Sequence, residues 1–199
     1  MFRLIVAAAA FLMVNASLAS AQTPIRVRGS IQEIAGSVLT VKSRDGSPVS
    51  IRLADNYAVL AVTRANLSDI KPGVYVGTAA TKQADGTFRA LEVLIFPESA
   101  RGSNEGHYPW DLTPDSMMTN ATVAEVVEGV AGRILTLKYK DGEVKVIVAP
   151  GAPIVTFGPG ERTLLTPGAH VFISGAKQAD GTITAGRVLV GKDGVVPPM

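Results

Sequence analysis

The 199-residue chain contains no cysteine. That excludes a disulfide framework, a thiolate nucleophile, a Cys-ligated metal and the acylated cysteine of bacterial lipoproteins. Aromatic residues make up 6% of the chain, charged residues 18%, and the formal net charge is +2. A basic groove set with stacking aromatics, the means by which proteins hold single-stranded nucleic acid, cannot be assembled from this material, so no nucleic-acid partner is expected. Histidine occurs twice, 63 positions apart, at His107 and His170. Without cysteine, a zinc or copper centre would need clustered histidines and carboxylates, so neither a metal nor another cofactor is expected. The longest apolar run is the eleven residues from Leu4 to Val14. Spanning a bilayer takes about 20, so no transmembrane span is expected in the mature chain.

That run belongs to an address. Met1-Phe-Arg3, the apolar stretch and Asn15-Ala-Ser-Leu-Ala-Ser-Ala21 are the positive, apolar and small-residue parts of a secretory signal peptide. Residues 1–21 are expected to be removed, leaving a soluble protein from Gln22 in the periplasm or outside the cell. The whole chain is 47% hydrophobic, and its 20 Gly and 12 Pro all lie beyond residue 21, a composition of many short strands and turns.

The chain also repeats itself. Lys82-Gln-Ala-Asp-Gly-Thr87 recurs without change as Lys177-Gln-Ala-Asp-Gly-Thr182, 95 positions later. Around it, 72–96 and 167–191 share 12 of 25 residues, and 31–46 and 127–142 share 7 of 16 at an offset of 96. Duplication with a one-residue deletion at the turn after Asp45-Gly46 explains both. Val49, Ile51 and Leu53 alternate with polar residues, as do Val144, Val146 and Val148, the period of a half-buried strand. Asp-Gly at 45–46, 85–86, 141–142 and 180–181 marks hairpins, which also accounts for those four carboxylates. A helical turn before Pro72-Gly73 and another before Pro167-Gly168 complete each copy. The expected fold is all-β: two tandem five-stranded barrels, each with a short helical turn, behind a signal peptide.

In the first copy Gly29, Ile31, Ile34, Leu39, Thr40, Val41, Asp45, Gly46, Pro72, Gly73, Val76, Asp85, Gly86, Thr87, Ala90 and Val93 form a pattern. It resembles the OB-like domain of unknown function found in exported bacterial proteins. The second copy departs from it at Glu125 in place of Gly29 and at Arg162 in place of Leu67. Members with two copies and this linker are sometimes labelled metal ABC transporter permeases, a label that a chain without membrane-spanning helices does not support. The resemblance implies OB-like domains at 26–97 and 121–192 and brings no catalytic residues. The intervening 98–120 is then an ordered linker or plug, and 193–199 a flexible tail.

The linker carries the one segment outside the repeat with chemical character, Glu105-Gly-His-Tyr-Pro-Trp-Asp-Leu112. His107, Tyr108, Trp110 and Asp111 are candidates for recognition or interdomain contact, with Trp110 and Tyr108 expected to plug the seam between barrels. His170 takes the repeat position of Tyr75 and is expected to be a surface-strand residue. The function this supports is a non-catalytic binding or structural module, its partner a protein, an envelope glycan or a small ligand. A metal-handling protein or enzyme with its site on 105–112 is the alternative.

Overall fold

The computed structural model describes residues 24–199, and the expected signal peptide, 1–21, lies outside the described residues. Thirteen strands follow one another: β1 (Ile25–Ala35), β2 (Val38–Ser43), β3 (Pro48–Arg64), β4 (Tyr75–Lys82), β5 (Phe88–Ala90), β6 (Val93–Ile95), β7 (Gly106–Pro109), β8 (Ser116–Gly129), β9 (Gly132–Tyr139), β10 (Gly142–Val148), β11 (Ile154–Pro159), β12 (His170–Lys177) and β13 (Ile183–Gly191). Among the described residues, helical structure is limited to single 3-10 turns, two of them (Leu67–Asp69 and Arg162–Leu164) the turns expected before Pro-Gly. No helix among the described residues is long and apolar enough to cross a membrane.

The strands close two circuits, but not the two expected. β1 pairs with β2, β2 with β3, β3 with β13, β13 with β12 and β12 with β1. The second circuit runs β8, β9, β10, β5, β4 and back to β8. Each ring therefore takes three strands from one half of the chain and two from the other. Independent barrels at 26–97 and 121–192 are not the arrangement found. The physical reason is visible in β3. Its 17 residues contain no glycine and no proline after Pro48, and at about 3.3 Å per residue they extend roughly 56 Å. The strand overruns its own ring and delivers the chain to the other. Because the halves carry the same motifs, β12 and β13 offer β1 and β3 the edges that β4 and β5 would have offered.

The interiors follow the same exchange. Ile31, Leu39, Val41, Ile51 and Leu53 of the first half pack with Leu165, Val171, Ile173 and Val188 of the second. Conversely, Ile70, Val76, Ala80 and Val93 pack with Val123, Leu135, Leu137 and Val146. Ile70 and Leu165, one residue after each 3-10 turn, are 1% and 4% exposed, so each turn plugs the ring assembled around the other half's first three strands.

A pseudo-twofold axis relates the halves. β3 and β11 pair antiparallel with Val62 opposite Phe157, and these residues are 95 positions apart, each other's counterparts in the repeat. The axis passes through that pair. The registers on either side obey it: Ile183 opposes Ile51 as Phe88 opposes Val146, and His170 opposes Ser30 as Tyr75 opposes Thr122. The repeated hairpins match in detail, Gln83 N–H donating to Thr87 O and Gln178 N–H to Thr182 O, both at 2.7 Å.

Two further expectations are corrected by the pairing. Glu33 opposes Thr40 and Glu125 opposes Thr136, each next to a β-bulge. Glu125 thus corresponds to Glu33, and Ala121 corresponds to Gly29. The β8–β9 hairpin is four residues longer than β1–β2, and sequence similarity near the turn disguises the shift. Gly29 is obligatory where it stands, since a Cβ there would fall 2.0 Å from the Lys42 carbonyl oxygen. Residues 193–199 are not a loose tail either. Val195 and Met199 are apolar enough to be buried, at 6% and 5% exposure, and they join Val62, Leu94, Val155 and Phe172 in a third core at the seam between the rings.

Candidate functional site

The seam is where the chain's unusual side chains gather. In β1 the core residues Val27 and Ile31 alternate with outward-facing Arg26 and Arg28. Facing them comes the central segment. β7 is hydrogen-bonded along β8, His107 opposite Thr119 and Tyr108 opposite Met118, which attaches it to the second ring. The chain then turns through 110–115, closed by the Trp110 N–H on the Ser116 carbonyl (2.8 Å) and by Ser116 Oγ on the Trp110 carbonyl (3.0 Å). That turn holds Trp110 and Asp111 against the first ring.

Arg26 lies over the Trp110 ring, its guanidinium carbon 3.9 Å from the centroid, the geometry of a cation–π contact. Arg28 donates to Asp111 Oδ1 at 2.7 Å and also to the Met199 main-chain oxygen, while Arg26 is 3.6 Å from the same carboxylate. Burial disfavours a charge on Asp111, but the Arg28 hydrogen bond and the charges of Arg28 and Arg26 outweigh it, holding the carboxyl below its ordinary range. The segment is therefore a clasp, paired to one ring through backbone and to the other through Arg–Asp and Arg–Trp contacts.

The four candidate residues do not form one site. Successive residues of a strand point to opposite faces, and β7 sends His107 away from Trp110. Its Nδ1 is 2.8 Å from Thr119 Oγ1, its ring meets Phe88 edge-on and stacks on Tyr139, and burial lowers its pKa. Tyr108 and Trp110 meet each other at the seam, ring centroids 6.2 Å apart. The Tyr108 oxygen accepts from Asn120 Nδ2 at 2.9 Å, and burial raises its pKa. Tyr108 and Trp110 are half-buried rather than fully enclosed. Replacing Trp110 with Ala is accordingly expected to cost about 2–3 kcal/mol, below the roughly 3–5 for emptying a fully buried large aromatic site. A thermal melt checks it, and a midpoint moved by less than about 1 °C would be incompatible with the clasp.

Between the rings lies a cavity of about 1080 Å³ whose lining includes Arg26, Glu92, Phe96, Tyr108, Trp110, Phe157, Phe172 and Arg187. Glu92, in the connection between β5 and β6, is 1% exposed and has one carboxyl oxygen without a protein partner; the Trp110 indole N–H is buried and likewise unpartnered. Burial drives the Glu92 pKa up to about 8, against the opposing pull of Arg28 and Arg44. A polar atom buried without a hydrogen bond costs about 1–3 kcal/mol, so these two atoms in the cavity wall, like Thr78 Oγ1 outside it, mark places where the fold gives up stability. Sequence reasoning singled out Trp110 but missed Glu92, Arg26 and Arg28. The signal for Glu92 was present: it is the one acid between Phe88 and Phe96, and after Arg89 every other residue of that stretch is apolar.

The remaining expected features fall elsewhere. His170 is exposed on β12, as expected of a surface-strand residue. Asp45, Asp85 and Asp180 each accept the backbone N–H two residues on at 2.9 Å, the turn role their Asp-Gly setting implied. Among the described residues no three His, Asp or Glu side chains gather as a metal would require. Comparisons with family models, curated proteins and solved structures found no match.

Proposed function

We propose that this chain is an exported, non-catalytic binding module of the bacterial envelope, built from two OB-like barrels with exchanged strands, and that its ligand site is the cavity at the seam. The observation that carries the reading is the pairing of a large, partly aromatic cavity with two buried polar atoms lacking partners, Glu92 Oε2 and Trp110 Nε1. Ligand sites are mostly apolar concavities with a few convergent polar groups, and they favour joints between structural units. The circuit order of each ring, first strand to second, third, fifth and fourth, supports the OB-like assignment. Export is supported by the three-part pattern of 1–21.

The metal-handling alternative finds less support. His107 is turned toward Phe88 and Tyr139, and Asp111 is engaged by Arg28 and Arg26, so the central segment presents no convergent ligand set. Protein recovered from the periplasm should begin at Gln22 by intact mass, and its melting midpoint should be unchanged by added Zn²⁺ or Cu²⁺. A midpoint raised by either metal would favour the alternative. Recovery of a species retaining 1–21 in the membrane fraction would remove the export reading.

A further inference from the structure

Resting on the binding-module reading above, we propose that the seam cavity takes a small anionic amphiphile, a molecule with one carboxylate or sulfonate group on an apolar chain or ring. The walls define the apolar part. Phe96, Phe157 and Phe172 line the space from three different parts of the chain, and Phe96 and Phe157 meet edge to face with centroids 5.8 Å apart. A volume of about 1080 Å³ is slightly above the roughly 300–1,000 Å³ of sites that enclose a small ligand, so it leaves room for one.

The polar groups define the charge. Arg26 and Arg187 line the cavity, and Trp110 adds an indole N–H that can only donate and has no protein acceptor. Tyr108 already accepts from Asn120, which leaves its own hydroxyl proton to be given. Two acids are present, Glu105 on the exposed rim and Glu92 inside. Glu92 is uncharged below about pH 8 through burial, and a neutral carboxyl supplies one more O–H donor. Donors in excess of acceptors call for an acceptor-rich head group, and charge-assisted hydrogen bonds are about twice as strong as neutral ones. Asp111 lies 2.7 Å from Arg28 and 3.6 Å from Arg26 and so offsets one of those two charges, which leaves Arg187 and the neutral donors to hold the head group.

The duplication adds a second, independent argument. Glu92 and Arg187 are 95 positions apart and hold equivalent places in the two halves, and both line the same cavity. The equivalent positions thus carry a carboxyl, neutral below about pH 8, in one half and a guanidinium in the other. Such a cavity distinguishes the two ends of its occupant, as recognition of a head-and-tail molecule requires.

Isothermal titration of the mature chain with decanoate tests the proposal, with decanol as the neutral match and phosphatidylglycerol vesicles as the membrane source of the same chemistry. Decanoate is expected to bind one molecule per chain, more tightly than decanol. Trp110→Phe keeps an aromatic ring and removes the N–H, so it should weaken decanoate about tenfold or more while leaving decanol nearly unchanged. Arg187→Gln, at an exposed position, should weaken decanoate selectively too. Equal binding of decanol and decanoate would overturn the anionic class yet leave a binding cavity. Absence of binding by both would overturn the class and the cavity reading together. Vesicle binding without free decanoate binding would overturn the proposal in favour of attachment to a membrane surface.

Discussion

Cutting the chain once in the loop before β7 is expected to leave it whole. A protease site inserted between Gly102 and Ser103, in an exposed stretch, would produce one fragment carrying β1–β6 and another carrying β7–β13. Each ring needs both fragments: the first takes β12 and β13 from the second piece, and the second takes β4 and β5 from the first. The nicked protein should therefore elute with the uncut chain and unfold in urea as one transition, its fragments separating only in denaturant. Tandem independent barrels would behave otherwise, each fragment migrating alone at about half size. Size exclusion of the nicked sample decides between them, and two separate folded species would refute the exchanged pairing.

Glu92→Gln is expected to make the protein more stable, increasingly so as the pH rises. The folded carboxyl holds its proton to about pH 8, whereas the unfolded one releases it near 4.5. Between those values the folded state binds more protons, so rising pH favours unfolding and stability falls across the window. Below 4.5 both states are protonated and the residue contributes no slope. Glutamine keeps the shape without the ionisation. The variant should match the wild type near pH 4 and exceed it at pH 8 by up to about 5 kcal/mol, the linkage value of the full shift. Urea melts at several pH values would show this. A wild type whose stability rises from pH 4.5 to 8, with the variant parallel to it, would mean that Glu92 is ionised and well paired with Arg28 and Arg44.

Much of the local structure is legible in the sequence, and the reasons are local. Val49, Ile51 and Leu53 alternate as written and the last two are buried in the first ring. Asp85-Gly86 and Asp180-Gly181 form matching turns because an aspartate and a positive-φ glycine are what those turns require. Partner choice is not legible in this way. Strand β4 and strand β12 carry the same pattern, so nothing in the periodicity of β1 says which of them it will pair with. The length of β3 was the available clue, since its 17 residues contain no breaker after Pro48. The clasp is legible in part: Trp110 reads as a recognition or interdomain residue from its size and place outside the repeat, but its partners Arg26 and Arg28 read only as the polar half of an ordinary strand. Glu92 escaped because its meaning depends on what surrounds it, and its surroundings come from both halves.

The interleaving of the halves also sets a clock on synthesis. β1 opposes residues 170–175 of β12, so the first strand made waits for nearly the last. Neither ring can close while the chain is half made, whereas a tandem protein would have completed one barrel by then. Contacts this distant in sequence make folding slow. For a chain that must be threaded through a membrane before it folds, as the export proposed here requires, that delay is useful. The order of its strands would delay closure of both rings until most of the chain has crossed.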